Sequence, residues 1–303
     1  MKHLLSIEQL STAKIADILK LSRELKALRG REARDLPLKD QVWALIFNKS
    51  STRTRVSFEV GIRELGGSPL FLSTNDIQIG RGETVADTAR VLSRYVGGAV
   101  IRTFAQQDVE DFAKWGAIPV INALTDDEHP CQILADLFTI LEKLGEVKGK
   151  KIVFAGDGAC NVSNSWLFAA AKTGMELWVA APKQFQPAPS LLKRAGGHIH
   201  VTEDLRAAAT DAEVLYTDVW VSMGKEAESA ERLKILAPYQ INADVMKLAK
   251  PGALLMHCLP AYRGKEVTAE IFEAHQQTIF DQAENRLHAQ KAILTILARD
   301  WKL

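Results

Sequence analysis

Val42-Trp43-Ala44-Leu45-Ile46-Phe47-Asn48-Lys49-Ser50-Ser51-Thr52-Arg53-Thr54-Arg55 decides how the first half of the chain folds. Six apolar residues in a row fit a strand buried on both faces, as in a parallel sheet covered by helices. A polar loop follows. Beyond it, Phe58, Ile62 and Leu65 share one stripe and Val56 and Val60 another, so the chain turns helical until Gly66-Gly67 stops it. Strand, polar loop and helix make the repeating unit of doubly wound sheets, which bind ligands beyond the carboxyl ends of their strands.

The same alternation recurs along the chain. Further strands are expected at 69–73, 99–103 and 119–122 and, after a charged connection at 142–151, at 152–155, 177–181, 198–201, 214–217, 253–257 and 278–280. The helices between them are periodic. After His129, residues Ile133, Leu134, Leu137, Leu141 and Leu144 fall on one face, with Pro130 suited to the first helical position and Gly145 to the end. Two βα series predict an α/β protein of two doubly wound domains, each a parallel sheet flanked by helices, dividing near 145–150. The active site is expected in the cleft between them. A length of 303 residues fits two such domains, at roughly 150 residues each.

Composition narrows the functional classes. Apolar residues make up 47%, charged residues 25%, and the net charge is +1. No global field selects nucleic acid or an acidic membrane, although local anion sites remain open. No stretch resembles a signal peptide or a membrane span. Cys131, Cys160 and Cys258 are far apart and form no Cys-x-x-Cys pair, which predicts a reducing compartment, the cytoplasm, and no disulfide or zinc framework.

The loop after the first strand brings the hydroxyls of Ser51, Thr52 and Thr54 and the guanidinium groups of Arg53 and Arg55 to a helix N-terminus. Free N–H groups and the helix dipole favour an anion there, and arginine adds forked hydrogen bonds suited to phosphate. The plainer reading is a capped helix with surface arginines. Arg102 ends an apolar run, where a charge needs a partner or a ligand. His129 and Gln132 flank a helix start and fit either a cap or contacts to a carbonyl or phosphate oxygen. Gly156-Asp157-Gly158 follows another strand, but Asn161 occupies the place of the third glycine of a dinucleotide fingerprint, so no NAD and no other cofactor is expected. Asp218 and His257-Cys258-Leu259-Pro260 lie at two more strand ends. Neighbouring residues on an extended segment point apart, so His257 and Cys258 are not expected to share a metal ion. Cys258 also reads as a small buried apolar residue.

Taken together, Ser51-Thr52-Arg53-Thr54-Arg55 followed by His129-Pro130-Cys131-Gln132 resembles the carbamoyl-phosphate signature of the transcarbamylase family. The resemblance runs over essentially the whole chain, including residues 87–94 and 284–291. In the second half, Asp218 with Ser222-Met223-Gly224, and His257-Cys258-Leu259-Pro260, resemble the family's ornithine-using members. Aspartate users carry proline where Cys258 stands, and putrescine users lack the Ser-Met-Gly loop.

That resemblance implies a carbamoyl-phosphate domain at 1–146, an ornithine domain at 147–285, and a final helix, about 286–303, packing back on the first. It implies that Ser51, Thr52, Arg53 and Thr54 bind phosphate. Arg102, His129, Gln132 and Arg286 complete that site, and Gln78 is lent by a neighbouring subunit of a homotrimer or an assembly of trimers. Asn161, Asp218, Ser222 and Met223 hold ornithine, and Cys258 and Leu259 line the reacting centre. The implied catalytic set is Arg53, Arg102, His129, Asp218 and Cys258, without a metal, and the base that deprotonates the amine stays unassigned. Two residues depart from the family pattern: Cys160 stands where Asn is common, and Gln282 where Glu is usual. The competing readings are a transferase for putrescine or an acylated ornithine, a non-catalytic binding protein on this scaffold, and an NAD-dependent oxidoreductase.

Overall fold

A computed structural model of the chain describes residues 1–31, 35–73, 82–221 and 229–301. The chain divides into two compact units, residues 1–138 with 285–303 and residues 139–284. In the first, α1 (Thr12–Ala27) precedes β1 (Val42–Phe47), α2 (Thr52–Glu64), β2 (Ser68–Ser73), α3 (Val85–Leu92), β3 (Gly98–Arg102), α4 (Gln106–Trp115) and β4 (Val120–Leu124). Helix α5 (Pro130–Leu144) then leads into the second unit. The four strands are parallel, in the order β2-β1-β3-β4.

Local sequence explains these elements. Trp43 to Phe47 are all buried, as a strand with helices on both faces requires. Ser51 has an extended backbone, and its hydroxyl accepts from the Thr54 N–H at 3.3 Å, so α2 begins on a side-chain cap. Phe58 and Ile62 are buried on α2 and Leu65 just beyond it, whereas Val56, on the other stripe, stands at the surface. Gly66 takes a left-handed φ of 88° that closes the helix.

The second unit contains β5 (Lys151–Ala155), α6 (Asn161–Thr173), β6 (Glu176–Ala180), α7 (Pro189–Ala195), β7 (His198–Thr202), α8 (Leu205–Ala209) and β8 (Val214–Thr217). It continues with α9 (Ser229–Leu236), α10 (Ala243–Met246), β9 (Leu254–His257), α11 (Ala269–Ala274) and the long helix α12 (Gln276–Asp300), whose later turns belong to the first unit. Its strands are also parallel, in the order β7-β6-β5-β8-β9. Its core packs Val153, Ala155, Ala180 and Leu215 against Val245, Val267, Ile271 and Ile279.

One expected strand is corrected. Residues 278–280 are the first turn of α12. Thr-Ile-Phe favours a strand by composition, but three residues cannot reveal a period. Up to residue 286 its buried positions are Ile279, Gln282, Asn285 and Arg286, spaced three and four apart. Because three of the four are polar, the helical stripe was invisible to an apolar pattern.

Both sheets reverse their winding beside their first strand. In the first, the chain steps from β1 outward to β2 and then to β3 on the other side of β1. In the second it steps from β5 through β6 to β7, and then to β8 on the other side of β5. At such a reversal the connecting helices leave on opposite faces, so the two strand-end loops diverge and leave a crevice. The crevices lie beyond Phe47 and Arg102 in one unit and beyond Ala155 and Thr217 in the other.

One contact in the first sheet leaves no room for a side chain. Trp43 is paired in register with Gly98, and its ring covers that glycine so closely that an added Cβ would lie 2.5 Å from it. Gly98→Ala should therefore lower the free energy of unfolding by about 1–3 kcal/mol, the usual cost of overpacking a core. Urea denaturation of the purified variant measures this, and an unchanged midpoint would contradict it.

Candidate active site

The crevice of the first unit gathers polar groups around Arg286, which α12 delivers almost fully buried. Its Nη2 donates to Thr54 Oγ1 at 3.0 Å. Its Nη1 donates to Gln132 Oε1 and lies 3.2 Å from His129 Nε2. The Gln132 amide is fixed from the other side by donating to Asp136 at 2.8 Å. A guanidinium carries only donors, so a neutral His129 accepts at Nε2 and holds its proton on Nδ1. Burial, then the charges of Arg286 and Arg102, hold the His129 pKa well below the usual histidine value. The ring is therefore neutral at physiological pH.

Arg102 ends β3, is 9% exposed, and pairs with Phe47 in register, so it lies across the strand gap from the loop that leads to Ser51. Thr52 and Arg53 sit in the first turn of α2 with their side chains exposed. Arg55 faces away from this role: it bonds Glu59 at 2.7 Å and lies over the Phe71 ring at 3.6 Å. Lys49 is buried but ion-paired with Asp126. Ser51 acts as the cap in the plainer reading, yet a hydroxyl that accepts one bond still has its own proton to donate, so capping and anion binding are compatible. The structure thus brings Thr54, His129, Gln132 and Arg286 into direct contact, with Ser51 bonded to Thr54 through its backbone and Arg102 close enough to depress His129. Cys131, in the same motif, is different. Its thiol meets the Asn122 carbonyl at 3.4 Å, and burial pushes its pKa up to about 12, so it is inert.

In the second unit, the strand ends carry Asp218 and Cys258. The Cys258 thiol donates to Asp218 Oδ1 at 2.9 Å, and the Val219 N–H donates to the same oxygen at 2.7 Å. Burial raises the Asp218 pKa against the opposing pull of His257 and these hydrogen bonds. His257 is almost wholly buried and locked in orientation: Nδ1 accepts the Leu259 N–H at 2.9 Å, so Nε2 carries the proton to Glu266, 3.1 Å away. Leu259 sits at φ 60°, a left-handed conformation that costs a side-chain residue energy. The geometry expected for His257 and Cys258 is corrected. Their ligand-type atoms do not diverge; with Asp218 they lie within 4.8 Å of one another. Each of the three side chains already has a protein hydrogen-bond partner, so the cluster as folded consists of two bonded pairs, Cys258 with Asp218 and His257 with Glu266. Asn161 opens α6 at the crevice beside β5, where the Cys160 thiol caps the helix at 3.5 Å from the Ser163 N–H.

Two further residues were given no role by the sequence. Glu266, in an ordinary charged turn, is fully buried behind His257. Gln282, an apparent departure, accepts the His257 N–H at 2.9 Å and donates to the Tyr216 hydroxyl at 3.4 Å. An amide serves both partners, one as acceptor and one as donor, which explains a glutamine there. Gln78, Ser222 and Met223 lie outside the described residues.

Two family models together cover most of the chain. Residues 2–142 match the carbamoyl-P binding domain, and residues 148–297 the Asp/Orn binding domain, of the aspartate/ornithine carbamoyltransferase models. The chain is 54% identical to an ornithine carbamoyltransferase of Akkermansia muciniphila over 301 residues, covering 98% of each protein. Among solved structures it is similar to ornithine carbamoyltransferase from Pyrococcus furiosus, with 46% identity, a TM-score of 0.94, and 99% and 98% of the two chains covered. It is also similar to the anabolic enzyme of Campylobacter jejuni, with 41% identity, a TM-score of 0.94, and 99% and 100% covered.

The neutral state of His129 has a measurable consequence. Its folded pKa lies below that of the unfolded chain, so below about pH 6.5 the unfolded state binds a proton that the folded state refuses. Its contribution to stability is complete above that pH and declines on acidification toward the folded pKa. His129→Gln should flatten the fall of unfolding free energy between pH 7 and pH 5. Parallel slopes for wild type and variant in denaturant titrations would show that the ring is not held neutral.

Proposed function

We infer, for a chain that belongs to the aspartate/ornithine carbamoyltransferase family, that it transfers the carbamoyl group of carbamoyl phosphate to the δ-amine of L-ornithine, giving L-citrulline and phosphate. The observation that carries this reading is the gathering of Thr54, His129 and Gln132 around Arg286 beyond the carboxyl ends of β1 and β3. These are donors for a phosphate and for a carbonyl oxygen, presented on rigid elements.

The roles follow from chemistry. Ser51, Thr52, Arg53 and Thr54 hold the phosphate at the start of α2, where the helix dipole adds attraction. Arg102, Gln132 and Arg286 complete the donor half, and His129 Nδ1–H is suited to donate to the carbamoyl oxygen. As the amine attacks, charge grows on that oxygen and on the departing phosphate, and fixed donors strengthen as it grows. Each such donor is worth roughly 3 kcal/mol in well-studied enzymes. Arg53, Arg102 and His129 supply this electrostatic part, and holding both reactants in place supplies much of the rest.

The acceptor half consists of Asn161, Asp218, Cys258 and Leu259, with Ser222 and Met223 assigned by family resemblance to the amino-acid end of ornithine. The δ-ammonium must lose a proton before its nitrogen can attack. Asp218 is the base we assign. Burial raises its pKa, so it holds a proton more tightly than a surface carboxylate, and the Cys258 thiol orients it. The attacking nitrogen forms the new C–N bond, the C–O bond to phosphate breaks with its electron pair, and the nitrogen sheds its second proton to the departing phosphate. No covalent enzyme intermediate is needed. Gln78 is assigned to a neighbouring subunit's site in a homotrimer or assembly of trimers. Edge strand β2, which leads toward Gln78, exposes Leu70 as an assembling surface would. No helix among the described residues is long and apolar enough to cross a membrane. None of the three cysteines forms a disulfide, which suits the cytoplasm.

Ornithine should be used far better than putrescine, because polar partners built for its α-carboxylate and α-amino group are left unsatisfied by the diamine. Sites of that kind discriminate by about 10⁴. Asp218→Asn should lower kcat by about 10²–10⁴, the usual range for a lost general base. Citrulline formation measured with both amines on wild type and variant checks the two together. Equal kcat/KM for ornithine and putrescine would refute the acceptor assignment, and a fully active Asp218→Asn would refute the base.

A further inference from the structure

Arg232, on α9, carries no motif, yet its guanidinium is 5% exposed and ties two strand-end loops together. Its Nε donates to the Trp220 carbonyl at 3.0 Å, its Nη2 pairs with the buried Asp157 carboxylate, and its plane lies 4.4 Å from the centre of the Phe185 ring. Asp157 uses its other oxygen to accept the Ala159 N–H at 3.1 Å, which shapes the turn leading to Asn161. Trp220 closes the ring of contacts: its indole nitrogen lies 2.9 Å from where a Cβ on Gly156 would stand, so only glycine, here at φ 118°, fits beneath it. Beside these contacts the Thr217 hydroxyl donates to the Ala155 carbonyl at 2.9 Å and joins β8 to β5. The two loops so joined carry Asn161, four residues beyond Asp157, and Asp218, two residues before Trp220.

A buried ion pair is a poor device for stability. Its desolvation cost often matches its attraction, and well-packed apolar residues serve equally well, whereas fixing register is the better-attested use of such pairs. Arginine suits that use, because its planar fork can bind a carboxylate and a carbonyl in one geometry.

We propose that Arg232 is a positioning residue for the amino-acid acceptor: bridging Asp157 and the Trp220 carbonyl, it sets the spacing of Asn161 and Asp218 so that both can hold one α-amino acid. The proposal rests on the second unit being the acceptor half. It places no demand on carbamoyl-phosphate contacts, none of which Arg232 or its partners make.

Steady-state kinetics with ornithine and carbamoyl phosphate varied in turn, alongside thermal unfolding, test it on three variants. Arg232→Lys keeps the charge but loses the fork. Arg232→Gln/Asp157→Asn removes both charges, so no buried ion is stranded and the fold survives. Asp157→Glu keeps the pair but shifts its reach. All three should raise the KM for ornithine on the order of tenfold to a hundredfold, the scale set by sub-ångström to ångström misplacement of a bound reactant. The KM for carbamoyl phosphate should not move, which separates lost positioning from a general loss of active protein. Folded variants with a wild-type KM for ornithine, or with only kcat and melting temperature reduced, would overturn the role of Arg232. A wild type that forms no citrulline from ornithine would instead overturn the acceptor reading, and the proposal with it.

Discussion

The Arg286 guanidinium is the constraint on which the donor half depends. Its partners Gln132, His129 and Thr54 lie 154, 157 and 232 residues away in the sequence. No local propensity brings such groups together. What does so is the return of the chain, after the whole second unit has been built, along α12 and back to the first. Thr54 lies in the first turn of α2, His129 just before α5, and Gln132 in its first turn, so one buried fork couples the two helix starts that flank the crevice. Lysine could not reproduce this, because an ammonium is a point charge without a fixed fork.

That constraint also sets the electrostatics. A net charge of +1 conceals a local concentration of positive charge, with Arg102 and Arg286 buried and Arg53 exposed nearby in the fold. Buried like charges repel, and a neighbouring imidazole responds by staying neutral. A dianionic ligand would relieve the repulsion, which suits the site to the phosphate of the proposed substrate. In the second unit the logic runs the other way. A desolvated carboxylate, Asp218, is held by a thiol and a backbone N–H rather than by a full countercharge, and its pKa rises. The proposed donor recognition by His129 and proton acceptance by Asp218 thus rest on opposite shifts, in each of which burial is the largest cause.

The sequence was most informative where chemistry sits at strand ends. The run Trp43 to Phe47 and the polar residues after it placed a parallel strand and a capped helix together, because one short stretch carries both signals. Arg102 stood out because a charge at the end of an apolar run needs a partner or a ligand, whereas His129, at a helix start, read equally well as a cap. Thr278-Ile279-Phe280 misled because the helix it begins buries Gln282 and Arg286, and polar burial does not show in an apolar pattern. The meeting of Asp218 with His257 and Cys258 joins the ends of two neighbouring strands 40 residues apart, which no local pattern announces. Glu266 and the Asp157–Arg232 pair were illegible because a buried ion pair looks, in sequence, like any two surface charges.

The central claim is that Arg286 organises carbamoyl-phosphate recognition. Titration calorimetry with phosphonoacetamide, the stable methylene analogue of carbamoyl phosphate, measures that recognition without turnover. Substituting Arg286→Gln removes the charge and the fork while leaving an amide for hydrogen bonding. Affinity for the analogue should fall on the order of a hundredfold or more, as loss of a buried charge-assisted bidentate contact implies. A dissociation constant equal to that of the wild type, on a variant that remains folded, would contradict the account.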